Sequence, residues 1–98
     1  MAYRLTRNAE EDLIGIYVDG VEEFGEAVAE QYQAGLHHIF GFLSDYPYSA
    51  REREEISPPV RAHPYKSHLV VYIIEGEDIL ILGIRHGRED WQASNLLS

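Results

Sequence analysis

The residue types best suited to binding a charged partner cluster near the C-terminal end of the sequence. Arginine gives charge-assisted hydrogen bonds and a neighbouring tryptophan buries a large apolar area, a combination typical of a protein-interface anchor. A structural role would use the same residues, with an ion pair between Arg85 and Asp90 and with Trp91 over the core, and the two roles can coexist. The predicted target-binding set comprises Arg61, Arg85, His86, Arg88, Asp90 and Trp91.

The other reactive residue types form no catalytic or metal-binding pattern. His37 and His38 are adjacent on a predicted helix, where neighbouring side chains point about 100° apart and cannot readily share a metal ion. Ser57 and Ser67 lack the strand–turn–helix motif that activates a serine nucleophile. A group of glutamates is interpreted as a solvated helix face, since no apolar surroundings isolate any of them: Glu22, Glu23, Glu26 and Glu30. The sequence thus predicts no catalytic residue, no metal and no cofactor.

The charge of the chain limits its partners. Its 98 residues include 17 acidic and 8 basic side chains, for a net charge of -9. Tight nucleic-acid binding depends on Lys and Arg at phosphates, so no direct nucleic-acid binding is expected of this chain alone. The acidity is uneven, because residues 1–45 hold nine acids and two bases whereas residues 46–98 hold eight acids and six bases. A site for an anionic partner is therefore expected in the second half.

Length and the absence of cysteine narrow the class of protein. A chain of this size forms a single domain, predicted here as residues 1–98. Without cysteine, a disulfide-bonded secreted scaffold and a Cys-ligated metal site are excluded. The longest apolar runs, 69–74 and 79–84, are too short for a membrane span, and the N-terminus has no apolar export segment. We expect a small cytoplasmic domain.

Apolar spacing predicts two consecutive helices after a short strand at residues 2–6. Asn8, followed three residues later by Glu11, has the pattern of a capping box and predicts where the first helix begins. Gly25 is the predicted end of that helix. The second helix is predicted to end before Pro47. Because so short a connection leaves no room for any other arrangement, the two helices should form an antiparallel hairpin.

The second half reads as three strands. Residues 44–59 are predicted to be a loop, and residues 60–65 an edge strand because of Pro64. The runs 69–74 and 79–84 are joined by a glycine turn and complete an antiparallel meander. Both runs are apolar at nearly every position, so either both sheet faces are covered or one of them is a binding surface.

The resulting architecture is α+β, in the order β-α-α-β-β-β(-α). A helical hairpin packs on a small, mainly antiparallel sheet. The last, bracketed helix is predicted near residues 90–96, in a tail that leaves the final strand through Gly87. Deleting the tail after Gly87 is expected to spare the fold.

Several segments of the chain resemble the ParE toxins of the RelE/ParE superfamily, over nearly the whole length. They are LTRNAEEDLIGI, then AEQY, and KSHLVVYIIEGEDILILGIRHGRED, of which the ending IRHGRED is the most telling. The resemblance implies a toxin of a type II toxin–antitoxin pair that poisons DNA gyrase by contact and so blocks replication. It also implies a ParD-like antitoxin whose amphipathic C-terminal segment wraps the toxin, in an assembly of two toxins with two antitoxins. We expect the antitoxin to contact apolar positions of the helical hairpin and of the sheet edge.

The sister RelE branch suggests an alternative, a ribosome-dependent mRNA endonuclease. By an approximate alignment, three basic positions of that branch fall here on Val60, Ala62 and Leu69, which can neither hold a phosphate nor transfer a proton. Arg85 is retained, whereas Arg61 is shifted by one residue and should point to the opposite face of its strand. A third hypothesis is a folded antitoxin ligand without toxicity of its own.

Overall fold

Two helices pack on one face of a five-stranded sheet in the computed structural model, which describes residues 2–53 and 59–86. This confirms the predicted α+β fold. The elements of the described chain are β1 (Tyr3–Leu5), α1 (Arg7–Phe24), α2 (Glu26–Asp45), β2 (Glu52–Arg53), β3 (Val60–Tyr65), β4 (His68–Glu75) and β5 (Asp78–His86). The predicted helix at residues 90–96 lies outside the described residues. Neither described helix combines the length and the apolar character that a membrane crossing requires.

The helical hairpin begins two residues earlier than its capping pattern indicated. Thr6 is the N-cap of α1, and its hydroxyl accepts a hydrogen bond from the Ala9 amide at 3.0 Å. The prediction of Asn8 as the cap is wrong, because the Asn8 side chain instead donates to the Leu82 carbonyl at 3.3 Å. Gly25 ends α1 as predicted, and its φ of +91° explains why glycine stands between the two helices.

The sheet has the strand order β1-β5-β4-β3-β2. Strands β3, β4 and β5 form the predicted antiparallel meander, while β1 pairs in parallel with β5. The loop predicted at residues 44–59 contains a strand, since β2 pairs with the first two residues of β3. Pro64 lies beyond that pairing, at the part of β3 where no further described strand is added. Proline has no backbone N–H to donate, and this is tolerated where no neighbouring strand needs the donor.

The main core lies between the helical hairpin and the sheet. The α2 residues Leu36, Phe40 and Leu43 are fully buried against Tyr72 and its neighbours on β4 and β5. The Phe40 ring meets the Tyr3 ring edge-on, with 5.4 Å between centroids, so α2 also holds β1 in place.

The opposite sheet face carries a second apolar cluster. It consists of Val60, Val71 and Leu82, with Ile73 and Leu80 packed against them. The first three side chains are buried, which favours the alternative that both faces of the sheet are covered. This cluster depends on a bulge: Tyr72 pairs with Ile81 but Val71 pairs with Gly83, so β5 has one extra residue at this point.

Tyr72 ties the segment after α2 to the sheet. Its ring is fully buried and its hydroxyl donates to the Pro47 carbonyl at 2.7 Å. Burial raises the pKa of Tyr72 above its ordinary value of 10.0, although Ala50 and Arg61 act in the opposite sense. The folded state therefore favours the protonated phenol.

This raised pKa predicts alkaline destabilisation. Stability from Tyr72 should be fully present below pH 10, the ordinary value, and be lost as pH rises through the raised value of the folded state. Urea unfolding at pH values from 8 to 11 measures the effect (a range of roughly three units around the tyrosine pKa). Tyr72→Phe should be less stable near neutral pH but show a flatter alkaline decline. An equally steep decline in Tyr72→Phe would assign the effect to other groups.

Candidate functional site

Side chains of α1 close the free edge of β5 where β1 stops. Strand β1 pairs only with Ile79–Ile81, so the later residues of β5 would leave unpaired backbone groups. The Thr6 hydroxyl and the Asn8 amide both donate to the Leu82 carbonyl, at 3.0 and 3.3 Å. The Asp12 carboxylate accepts a hydrogen bond from the Ile84 amide at 3.0 Å. Helix side chains thus replace a missing strand beside the end of β5.

Arg85 lies next to this closed edge. A Cβ atom placed on Gly83 would be 3.0 Å from the Asp12 carboxylate and 3.4 Å from Arg85 Nε, so both groups border the same position. The sequence suggested Asp90 as the acidic neighbour of Arg85, but Asp90 lies outside the described residues. Asp12 was missed, although its spacing of four residues from Asn8 puts both on one face of α1.

Arg61 and Arg85 do not form one site. Arg61 pairs with Tyr72, which belongs to the cluster on the helix side, and paired residues share a face. Arg85 follows Ile84, another member of that cluster, and therefore points to the opposite face. The predicted target-binding set therefore does not form a single site, because Arg61 and Arg85 are on different faces of the sheet.

The positions that align with basic residues of the RelE nuclease branch lie on the same face of the sheet as Arg85. Leu69 pairs with Arg85, and Ala62 pairs with Val71 of the second apolar cluster. Val60 belongs to that cluster itself. All three side chains are apolar and share the sheet face of Arg85, and Val60 and Ala62 are buried, so this face lacks the charged or proton-transferring groups that a phosphate would need.

His86 lies in an aromatic and basic cluster that the sequence did not reveal. It pairs with His68 across the two strands, with ring centroids 5.5 Å apart. The Tyr32 hydroxyl is 2.7 Å from His68 Nδ1. Lys66 Nζ lies 5.7 Å from the centre of the Tyr32 ring and 5.6 Å from that of Tyr65, within cation–π range. No signal in the sequence links Tyr32 to His68, since tertiary packing alone brings them together.

A groove of about 300 Å³ runs from this cluster to the bend of the helical hairpin. Ile16 and Ala29 supply apolar walls, and Asp19 and Glu23 supply acidic ones. Phe24 and Val28 border it and are exposed by 65% and 47%. An apolar groove beside exposed apolar side chains can accept the side chain of a binding partner.

The remaining candidates take structural or solvated positions. His37 Nδ1 is 3.4 Å from the Tyr3 hydroxyl, and His38 is exposed. The four glutamates of the hairpin are exposed, as predicted: Glu22, Glu23, Glu26 and Glu30. Within residues 2–53 and 59–86, no three His, Asp or Glu side chains are arranged to hold a metal ion. Ser57 lies outside the described residues. So do three members of the predicted target-binding set: Arg88, Asp90 and Trp91.

Comparison with known proteins agrees with this geometry. Residues 3–91 match the family described as the ParE toxin of the type II toxin–antitoxin system parDE. Toxin ParE3 of Caulobacter vibrioides is 34% identical over 83 residues, which cover 85% of this chain and 83% of that protein. A chain in the solved chromosomal ParDE TA system from P. aeruginosa has the same fold, with a TM-score of 0.76 at 24% identity, over 88% of this chain and 95% of that one. The chain belongs to the ParE toxin family of type II toxin–antitoxin systems.

Proposed function

We propose that this toxin inhibits DNA gyrase by contact, without catalysis of its own, and that a ParD-like antitoxin neutralises it. The observation that carries the proposal is the apolar sheet face around Arg85. By the approximate alignment with the RelE branch, Val60, Ala62 and Leu69 fall at three of its basic positions, and they share the sheet face of Arg85. Since these side chains carry no charge and no transferable proton, inhibition by binding is favoured over RNA cleavage.

The antitoxin half of the proposal is supported by the groove at the helical hairpin. Its apolar walls, with Phe24 and Val28 exposed beside them, offer the surface that an amphipathic segment would cover. An assembly of two toxins with two antitoxins, acting in the cytoplasm, completes the proposal. Arg85 and His86 remain the predicted target contacts at the end of β5.

The proposal is tested directly by measuring how purified gyrase supercoils a relaxed plasmid. Added toxin should inhibit supercoiling, and premixed antitoxin should restore it. Expression in bacteria should stall growth and induce the DNA-damage response. Normal supercoiling in the presence of excess folded toxin would contradict the proposal.

The same preparation distinguishes the nuclease alternative. Primer extension on a translated message should show no new cuts in the presence of the toxin. Codon-specific cuts on ribosomes that Arg85→Ala abolishes would establish the RelE-type activity instead.

A further inference from the structure

The acidic side chains of the chain concentrate on the helical hairpin, among its exposed apolar residues. Residues 7–45, which comprise both helices, contain nine acidic side chains and a single Lys or Arg. Eight of the nine acids are exposed, the exception being Asp12. Phe24 and Val28 are exposed at the bend of the same hairpin. A partner that covers this surface should therefore be both basic and apolar.

Two carboxylates line the groove at a helical spacing. Asp19 and Glu23 are four residues apart on α1, so they lie on one face of that helix, one turn apart. Both side chains are exposed. Residues one turn apart on any α-helix have Cβ atoms about 5–6 Å apart, so basic side chains at this spacing on a second helix would meet both carboxylates. The spacing favours a helix as the occupant.

The apolar part of the groove has room for side chains of such a helix. Ile16 and Ala29 line it, with Phe24 and Val28 at its border. The two helices of the hairpin are close together here, since a Cβ atom placed on Gly20 would be 3.3 Å from the Ala29 Cβ. A volume of about 300 Å³ is at the lower end of the range of ligand pockets, about 300–1,000 Å³, and suits one or two peptide side chains.

The negative potential extends across the bend to α2. Partial burial raises the pKa of Tyr17 above its ordinary value of 10.0, and the charges of Glu30 and Glu26 raise it further. Two glutamates of α2 therefore act on a side chain of α1. The acidic region includes carboxylates of both helices, in addition to the two that line the groove.

The basic groups around the groove do not balance these acids. Residues 15–32, which include the bend, carry five acidic side chains and no Lys or Arg. Lys66, the one lysine of the chain, has its Nζ 5.7 Å from the centre of the Tyr32 ring. Arg85 points to the other face of the sheet, and residues 87–98 contain one arginine and two acids. The groove therefore keeps an excess of negative charge.

Other classes of occupant fit this charge poorly. The acids of the hairpin would repel the phosphates of a nucleic acid and the headgroups of an anionic membrane. A second copy of the chain would place one acidic hairpin against another, and like charges facing each other across an interface are unfavourable. A basic segment of another protein meets neither obstacle.

We propose that the groove binds a basic amphipathic helix of the antitoxin. A large apolar side chain of that helix enters between Ile16 and Ala29, and lysines or arginines one turn apart pair with Asp19 and Glu23. The inference rests on the proposed function, since the occupant is taken to be the antitoxin. It adds the sign of the segment's charge, which follows from the acidity of this particular hairpin. An acidic segment should be rejected.

Isothermal titration of the full-length toxin with designed peptides tests the inference. Three peptides, each about 18 residues or five helical turns long, share leucines at helical spacing and carry lysine, glutamine or glutamate elsewhere. The lysine peptide should bind at least about tenfold more tightly than the glutamine peptide, and the glutamate peptide should not bind. The affinity for the lysine peptide should fall as salt is added, because counterions screen the attraction.

Two double variants separate local charge from the net charge of the chain. Asp19→Asn with Glu23→Gln should lower the affinity for the lysine peptide at least about tenfold. Glu10→Gln with Glu11→Gln is the matched control, because it also removes two exposed charges from α1. The control lies roughly 12 Å or more along the helix from Asp19, beyond the screening length, so its affinity should stay within about twofold. Phe24→Ala should lower the affinity about fivefold or more. Circular dichroism confirms that each variant is folded.

Two results of the peptide titrations would overturn the inference. Equal affinities for the lysine and glutamate peptides would show that the groove does not select a basic helix. Equal losses in the two double variants would show that the attraction depends on net charge and not on the groove. A dimer of the toxin alone that Phe24→Ala dissociates would also overturn it, because a second copy would then occupy the groove.

The antitoxin itself separates this inference from the proposed function. Restoring gyrase supercoiling should take at least about fivefold more antitoxin with Asp19→Asn/Glu23→Gln than with the wild type or the control variant. Equal amounts for all three toxins would overturn the inference and leave the proposed function intact. A toxin that fails to inhibit gyrase contradicts the proposed function alone, since the peptide titrations do not involve gyrase and still decide what the groove binds.

Discussion

Replacing Phe40 by alanine should lower the free energy of unfolding by about 3–5 kcal/mol, the range for a large aromatic side chain removed from a packed core. Phe40 is fully buried and lies between α2 and the sheet, with the Tyr3 ring against it at 5.4 Å. The loss would leave a cavity and would also weaken the packing that holds β1. A small domain has only about 5–15 kcal/mol in total, so this variant should be close to unfolding.

Urea unfolding of the variant, followed by circular dichroism, measures this effect. Phe42→Ala is the matched control, because Phe42 is an aromatic residue on the same helix that is 39% exposed. We expect the control to lose less than about 1 kcal/mol, as for most surface substitutions. Similar losses in the two variants would contradict the described packing of α2 on the sheet.

Asp12→Ala should cost about 2–4 kcal/mol, more than is usual for a polar residue on a helix. The change removes the acceptor of the Ile84 amide and the carboxylate that borders the same position as Arg85. A buried amide without an acceptor costs about 1–3 kcal/mol, and a partly buried cation without its neighbouring anion adds to this. The edge of β5 should then open locally before the rest of the sheet.

A second variant separates the effect of losing the Asp12 charge from the effect of losing its hydrogen bond. Asp12→Asn keeps an oxygen that can accept from Ile84 but removes the charge, so it should recover part of the loss. Asp19→Ala, an exposed acid on the same helix, should be nearly neutral. Hydrogen exchange at the Ile84 amide should accelerate in Asp12→Ala. Unchanged exchange at Ile84 would show that α1 does not close this edge.

Local patterns predicted most of the fold. The apolar spacing of the two helices, the glycine that separates them and the glycine turn between β4 and β5 are all short-range signals. Gly76, for example, has a φ of +65°, a conformation that a turn requires and that glycine adopts without strain. The antiparallel meander follows from such turns, because each connects strands that are neighbours in the chain.

The orientation of Arg85 could not be predicted, since it depends on one extra residue in β5. If β5 had no bulge, the register set by the Glu75–Asp78 pair at the turn would continue along the strand. Arg85 would then pair with His68 and face the helices. The bulge near Leu82 shifts the register, so that His86 pairs with His68 and Arg85 turns to the other face. Gly83 lies beside the extra residue, and an isolated glycine in a strand is typical of a bulge, but the run 79–84 was interpreted as a regular strand.

The start of α1 was mispredicted for a related reason. Thr6 and Asn8 are both good cap residues, and only tertiary contacts decide between them. The Leu82 carbonyl takes the Asn8 side chain, which leaves Thr6 to cap the helix. The same contact explains why the closure of the β5 edge was not predicted from the sequence. The side chains that close this edge are more than 70 residues away in the chain, and 72 residues separate Asp12 from Ile84.

The parallel pairing of β1 with β5 has a consequence for synthesis of the chain on the ribosome. Tyr3 is translated 76 residues before its partner Ile79. Residues 3–5 have no strand to join until then, and long-range pairings of this kind form late. The meander and the hairpin can assemble first, so the N-terminal strand is added last. The sheet can therefore be completed only after residues 79–81 have been synthesised.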